Sequence, residues 1–274
     1  MTIQAKKSLG QNFLKNEGVL QKIADAGELS ASDIVLEVGP GEGVLTKKLL
    51  EKAGKVIAVE KDHRLISVLQ EKFASEISEG KFEIFEGDIL ESDAEKWGIK
   101  DGKFKIVANI PYYITGQFFR KFLSGPIKPT RMVILVQKEI AERIVARDGK
   151  ESLLSISVKA YGEPRIVAKV SKGSFVPAPK VDSAVILIDN ISRKRFEGSL
   201  GGDTSKLEER FFEILHAGFA HKRKVLISNL REKFSEGIRG KDLQQIFSAI
   251  DLDPKIRAED VSLEKWFSIT RQSI

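Results

Sequence analysis

From residue 34 to about residue 138, short apolar runs alternate with amphipathic stretches. Ile34-Val35-Leu36-Glu37-Val38 reads as a first buried strand, and Val44 to Lys52 carries helical spacing. Lys55 to Val59 is a second strand, followed by a helix from about His63 to Phe73. Lys81 to Phe85, Phe104 to Ala108 and Met132 to Val136 supply three more strands. Strands that alternate with helices predict a parallel, doubly wound α/β sheet. Ser152 to Tyr161 looks helical, while Arg165 to Val170 and Ala184 to Ile188 read as a late hairpin on one sheet edge.

Beyond Asp189 the period changes. Gly198-Ser199-Leu200-Gly201-Gly202-Asp203 reads as a linker or loop. After it every periodic segment is helical: Glu208 to Ala217, Arg223 to Phe234, Asp242 to Ile250 and Leu263 to Thr270. The expected fold is therefore a Rossmann-like α/β domain over residues 1–190 with a small all-helical domain over residues 191–274.

Composition narrows the chemistry. A content of 42% hydrophobic residues in a chain of 274 is ordinary for a packed globular protein. No apolar run approaches a membrane span, and Met1 to Gly10 lacks the apolar region of a signal peptide. With no cysteine, disulfides, thiolate metal sites and thiol nucleophiles are excluded, including a methyl transfer that adds a cysteine to a pyrimidine. His63, His216 and His221 show no metal-ligand spacing, so no metal is expected. A net charge of +6 suits an anionic partner. Its visible clusters are Arg193-Lys194-Arg195 and His221-Lys222-Arg223-Lys224, which charge alone explains more readily as a solvated face than as a nucleic-acid contact.

Asn109-Ile110-Pro111-Tyr112 closes the fourth strand. The amine of adenine is a poor nucleophile because its lone pair is delocalised into the ring. Two acceptors aimed at its hydrogens favour the reactive, pyramidal nitrogen, and the Asn109 side-chain and Ile110 main-chain carbonyls could supply them. Pro111 fixes φ, and Tyr112 could stack on the base. A strand-to-loop turn explains these four residues alone equally well. Gly39-Pro40-Gly41-Glu42-Gly43 lies between the first strand and its helix, where Gly39 and Gly41 let a ligand approach the backbone. A dinucleotide fingerprint would want a third glycine where Val44 stands. Glu60 ends the second strand, where a carboxylate can take both hydroxyls of a ribose, and Asp88 ends the third, where one can take an adenine amine. A glycine loop, a ribose acid and an adenine acid without a Walker lysine fit S-adenosylmethionine better than NAD or ATP.

At this point the chain resembles the ribosomal RNA adenine N6-dimethyltransferases of the small subunit, the kasugamycin-sensitivity type, along nearly its whole length. Lys7 to Leu14, Leu36 to Thr46, Asn109 to Ile114, Phe175 to Ser183 and Phe219 to Leu226 match that family's motifs in order. The resemblance implies a class I methyltransferase domain with cofactor contacts at Asn12, Leu14, Gly39, Gly41, Glu60, Asp88 and Asn109. It places Phe175 against the target base opposite Tyr112, where the residues alone suggest a partly exposed ring in a Pro-flanked loop. It assigns RNA contact to a basic helix carrying Lys222, Arg223 and Lys224. The implied partner is small-subunit rRNA in an assembling subunit, dimethylated at two adjacent adenosines near its 3′ end by a cytoplasmic enzyme, with a monomer as the default. Two departures, Glu151-Ser152 for the usual Tyr-Gly and Ser171-Lys172 for a Pro pair, fall in loops. The rival readings are a large-subunit relative of the macrolide-resistance type and a non-catalytic assembly factor. Val44 disfavours a third, an NAD-dependent oxidoreductase.

Overall fold

The computed structural model describes residues 4–6, 9–197, 204–235 and 242–272. Its elements run β1 (Phe13–Leu14), α1 (Glu17–Ala26), β2 (Ile34–Val38), α2 (Val44–Leu50), β3 (Lys55–Glu60), α3 (His63–Lys72), α4 (Ala74–Ser78) and β4 (Phe82–Glu86). They continue with β5 (Lys105–Asn109), α5 (Thr115–Leu123), β6 (Arg131–Gln137), α6 (Lys138–Val145), α7 (Leu153–Lys159), β7 (Glu163–Val170), β8 (Phe175–Val176) and β9 (Ser183–Asp189). Four helices close the chain: α8 (Thr204–Gly218), α9 (Leu226–Lys233), α10 (Leu243–Ala249) and α11 (Leu263–Gln272). Every expected strand forms, with small shifts at its ends. Helices α1, α4, α5 and α6 and the short pair β1/β8 are additional. The linker read at Gly198–Asp203, and Lys7 and Ser8 of the N-terminal motif, lie outside the described residues. No helix among the described residues is long and apolar enough to cross a membrane.

The chain divides into two compact units. One takes residues 1–141 and 162–192, the other 142–161 and 193–274. The expectation of domains at 1–190 and 191–274 put α7 in the first; it groups with the later helices.

In the first unit seven strands form one sheet in the order β4-β3-β2-β5-β6-β9-β7. The first five are mutually parallel, with Val35 beside Val56 and Asn109 beside Leu135. The late hairpin completes the edge, β9 running antiparallel to both β6 and β7. Parallel strands bury both faces, which is why their sequences are continuous apolar runs. Val35, Val56, Val107 and Val133 pack in one core with Leu20, Leu49 and Leu69, while their neighbours Leu36, Ile57, Ile106 and Ile134 are equally buried on the other face.

The second unit is built around aromatic rings. Phe196 lies with its ring centroid 5.3 Å from those of Tyr161 and Phe267 and 5.5 Å from that of Phe211. The Tyr161 hydroxyl donates to Glu208, which also pairs with Arg193 at 3.0 Å. Ser152 caps α7, its hydroxyl accepting from the Ser155 amide. The basic run was expected at the start of a helix, but α9 begins only at Leu226. Residues 221–224 form the turn before it, because the Asn229 amide donates to the carbonyls of Gly218 and His221 and ties the chain there.

Gly43 shows how tightly the first turn of α2 is packed. It caps that helix with φ 73°, and an added Cβ would come within 2.5 Å of the Phe73 ring and 2.8 Å of Leu69. Gly43→Ala should therefore cost about 2–5 kcal/mol, combining left-handed strain with overpacking. Gly98 has a similar φ of 70° with nothing within 4 Å, so Gly98→Ala should cost only about 1–2 kcal/mol. Urea denaturation of both variants checks this, and equal losses would mean that the Phe73 contact imposes no penalty.

Candidate active site

Strand order determines where a ligand can sit. β2 and β5 are neighbours in the sheet, but the chain leaves β2 toward β3 on one side and β5 toward β6 on the other. At such a switch point the loops diverge and leave a crevice at the carboxyl ends of the strands. The crevice is a cavity walled by the glycine loop after β2, Glu60 at the tip of β3, Asp88 after β4 and Asn109 to Tyr112 after β5. Residues 9–14 of the N-terminal segment form the remaining wall, bringing in Asn12 and Leu14. Asn12, Leu14, Gly39, Gly41, Glu60, Asp88, Asn109, Ile110, Pro111 and Tyr112 are thus brought together from five places in the chain.

Each carboxylate is held differently. Glu60 is buried, and its two oxygens accept from the amides of Gly41 at 3.2 Å and Asp62 at 2.8 Å. Burial lifts its pKa above the ordinary carboxylate range, with those amides pulling the other way. Asp88 accepts from Lys61 at 2.6 Å and from the Leu90 amide at 2.9 Å. Burial pushes its pKa up, but the Lys61 ammonium and the amide outweigh that and hold it below the usual value. Asp62, one residue beyond Lys61, is gripped by Arg64 and by Gln11 at 2.9 Å, which fastens the N-terminal wall to the tip of β3.

Asn109 is oriented by the same wall. Its Nδ2 donates to the main-chain carbonyl of Asn12 at 3.3 Å. That commits the amide nitrogen and leaves the side-chain oxygen as the acceptor. The Tyr112 hydroxyl lies 2.5 Å from the hydroxyl of buried Ser183 at the start of β9. The bond fixes the ring's tilt, and burial raises the phenol pKa further from ionisation.

Phe175 corrects an expectation. Read as partly exposed and facing a base, it is only 3% exposed and packs in the sheet core. Alternation along β8 explains this: Phe175 pairs with Leu14 and points inward, leaving Val176 60% exposed. Phe175 is not among the residues lining the cavity. Lys222 and Arg223 are exposed as expected, while Lys224 is paired with Glu232, which His221 also approaches at 2.9 Å.

Three residues escaped attention as sequence. Ser183 gave no signal that it would meet Tyr112. Tyr113 stood inside a matched motif with no role of its own. Glu37 did carry a signal, since an acid inside the apolar run Ile34–Val38 must be buried if the strand is. It is 1% exposed, lines the cavity, and its Oε2 has no hydrogen-bond partner.

Among the described residues the lining therefore holds Glu37, Glu42, Glu60 and Asp88, with Lys61, paired with Asp88, as its cation. Such a lining offers acceptors to a ligand bearing hydroxyls and positive charge. The sequence model for the ribosomal RNA adenine dimethylases matches residues 2–273. The chain belongs to that family. A relative from Dehalococcoides mccartyi named ribosomal RNA small subunit methyltransferase A is 42% identical over 97% of this chain and 87% of its own length. A dimethyladenosine transferase from Plasmodium falciparum matches in structure with TM-score 0.78 at 28% identity, covering 94% of this chain and 95% of that one. The 23S rRNA methyltransferase ErmE matches with TM-score 0.74 at 26% identity, covering 95% and 99%. Membership in the adenine dimethylases makes this protein an enzyme with the class I methyltransferase fold.

Glu37 yields a test on the unliganded enzyme. Burial, reinforced by the nearby Glu60 charge, pushes its pKa from 4.5 to about 8. A raised acid pKa favours folding most when the group is protonated in both states. That contribution is complete below about pH 4.5 and is lost as pH rises toward about 8. Glu37→Gln should flatten this slope, so the variant gains on the wild type between pH 5 and pH 8 in urea denaturation. Parallel stability curves would show that Glu37 stays ionised in the folded protein.

Proposed function

We propose that this enzyme uses S-adenosylmethionine to dimethylate the N6 amines of two adjacent adenosines near the 3′ end of small-subunit rRNA during subunit assembly. The observation that carries the reading is Asn109, its amide nitrogen held by the Asn12 carbonyl and its oxygen left to accept in a cavity lined with carboxylates. The 42% identity to a small-subunit enzyme, against 26% to the 23S enzyme, supports the small subunit as substrate. The first unit would carry the transfer and the second the contacts to RNA. The enzyme would act in the cytoplasm as a monomer.

The residues present fit the cofactor. Its ribose hydroxyls suit Glu60, its adenine amine suits Asp88, and Glu37 offers an unpartnered buried oxygen to its positive charge. When bound, the cofactor supplies an electrophilic methyl group on a sulfonium. The protein's part is alignment. Asn109 Oδ1, with the main-chain carbonyl of Ile110, would accept the two amine hydrogens of the target adenine and turn its lone pair outward. Pro111 keeps the two acceptors in register. Tyr112, braced by Ser183, would support the flipped base from one face. The methylated ammonium is acidic enough to lose its proton to water, so no side chain need act as a strong base. Phe175, buried beneath the loop, would brace Val176 and the β1/β8 pair, and contact with the base would require it to leave the core.

RNA would be held through its phosphates by the turn before α9. Lys222 and Arg223 are the exposed cations there, whereas Lys224 is shared with Glu232.

Methyl transfer from labelled S-adenosylmethionine to immature small and large subunits, with the product nucleotide identified by mass, tests the reading. Dimethyladenosine in the small subunit alone is expected; label in large-subunit RNA would overturn the substrate. In the same assay Asn109→Ala should lower kcat about 100- to 1000-fold with cofactor affinity nearly unchanged. Normal turnover would remove the acceptor role. Replacing Lys222, Arg223 and Lys224 together by Ala should reduce the slope of log affinity for RNA against log salt by about 1.5 to 2, the contribution of two phosphate contacts. An unchanged slope would assign RNA binding elsewhere.

A further inference from the structure

Beside the cavity, and continuous with it through Asp88 and Tyr113, lies a second groove. Leu90, Phe122, Pro126 and Ile127 give it an apolar floor, and Gln117 and Arg120 of α5 stand along one wall. We infer that this groove is a second nucleotide subsite, holding the base next to the target adenosine stacked on Tyr113, with its phosphate against Arg120. The inference rests on the reading of the enzyme as an RNA adenine methyltransferase.

Tyr113 is the first reason. It is 63% exposed, more than Val176 or Val181, the other large apolar side chains left open among the described residues. An aromatic ring kept in solvent at the lip of an active site is a ready stacking surface. Its position is built rather than incidental. Gly10 sits beside it with φ 65°, and a Cβ there would come within 3.3 Å of the ring. Glycine thus makes room for Tyr113 against the N-terminal wall, and the groove receives the other side.

Charge is the second reason. Lys121 is occupied with the carbonyls of Leu90 and Ser92. Arg120 is exposed one residue earlier, three positions from Gln117, so both present to the same side of α5. Glu91 and Asp93 line the facing rim and would repel an array of phosphates. A groove with one available arginine, an acidic rim, an apolar floor and an aromatic wall fits one unstacked nucleotide better than a duplex backbone.

The chemistry requires such a place. Taking a base out of its stack costs its neighbour a partner as well. Because Tyr113 directly follows Tyr112, the adjoining base can exchange its lost neighbour for the Tyr113 ring.

The test measures KM and Kd for immature small subunits with the wild type and with Tyr113→Ala, Tyr113→Phe and Tyr113→Trp, alongside the Kd for S-adenosylmethionine. A lost base–aromatic stack corresponds to roughly 5- to 150-fold in affinity. Tyr113→Ala should raise KM and Kd for the subunits about tenfold or more, leaving kcat and cofactor affinity near wild type. Phe and Trp should restore both, since stacking needs a ring and not a hydroxyl. Wild-type subunit affinity in Tyr113→Ala, or a defect in Tyr113→Phe as large, would overturn the subsite. If the wild type binds subunits but transfers no methyl, the methylation reading fails, and the Kd series still decides the subsite.

Discussion

The direction in which the chain leaves two neighbouring strands underlies everything else at this site. β2 and β5 lie side by side, yet one continues toward β3 and the other toward β6, so no connection covers the gap above their carboxyl ends. Glu60 and Asp88 reach it because β3 and β4 end along the same edge, and Asn109 reaches it because β5 does. The register of a parallel sheet thus does the work of bringing together acids and an amide that lie far apart in the chain. The glycine loop follows from the same constraint, because a tight turn into α2 has no room for a side chain at Gly43 against Phe73.

Electrostatics separates the two halves of the task. The net charge of +6 is a poor guide to the cavity, whose lining among the described residues holds four acids and one paired lysine. Burial moves Glu37 and Glu60 toward protonation, and fixed amides partly restore Glu60. Positive charge is displayed at the turn before α9, where Glu232 pairs with both His221 and Lys224. A chain of modest overall charge therefore carries an acidic pocket and a basic turn.

What could be read from the sequence was whatever follows from period and position. Parallel strands buried on both faces leave continuous apolar runs, so β2 to β6 and the β7/β9 hairpin were visible, together with the acids and the asparagine at their ends. The N-terminal wall was less visible. Gln11, Asn12 and Phe13 have no period, and their roles come from contacts with Asp62, Asn109 and Val176 far along the chain. Phe175 was misread because a two-residue strand is too short to show its alternation, and only its pairing with Leu14 decides which way the ring turns. The start of α9 was misplaced for a similar reason. Its boundary is set by Asn229 bonding back to Gly218 and His221, a tertiary contact that helix spacing does not encode. Nor does sequence position reveal that α7, lying between strands, packs with the later helices.

The peptide that forms the last wall of the cavity also holds the amide of Asn109 through the Asn12 carbonyl, and Gln11 anchors it to Asp62 beside Glu60. Wall and acceptor are consequently one mechanical part. Displacing that peptide would therefore remove a wall of the cavity and the partner of the Asn109 amide in one step.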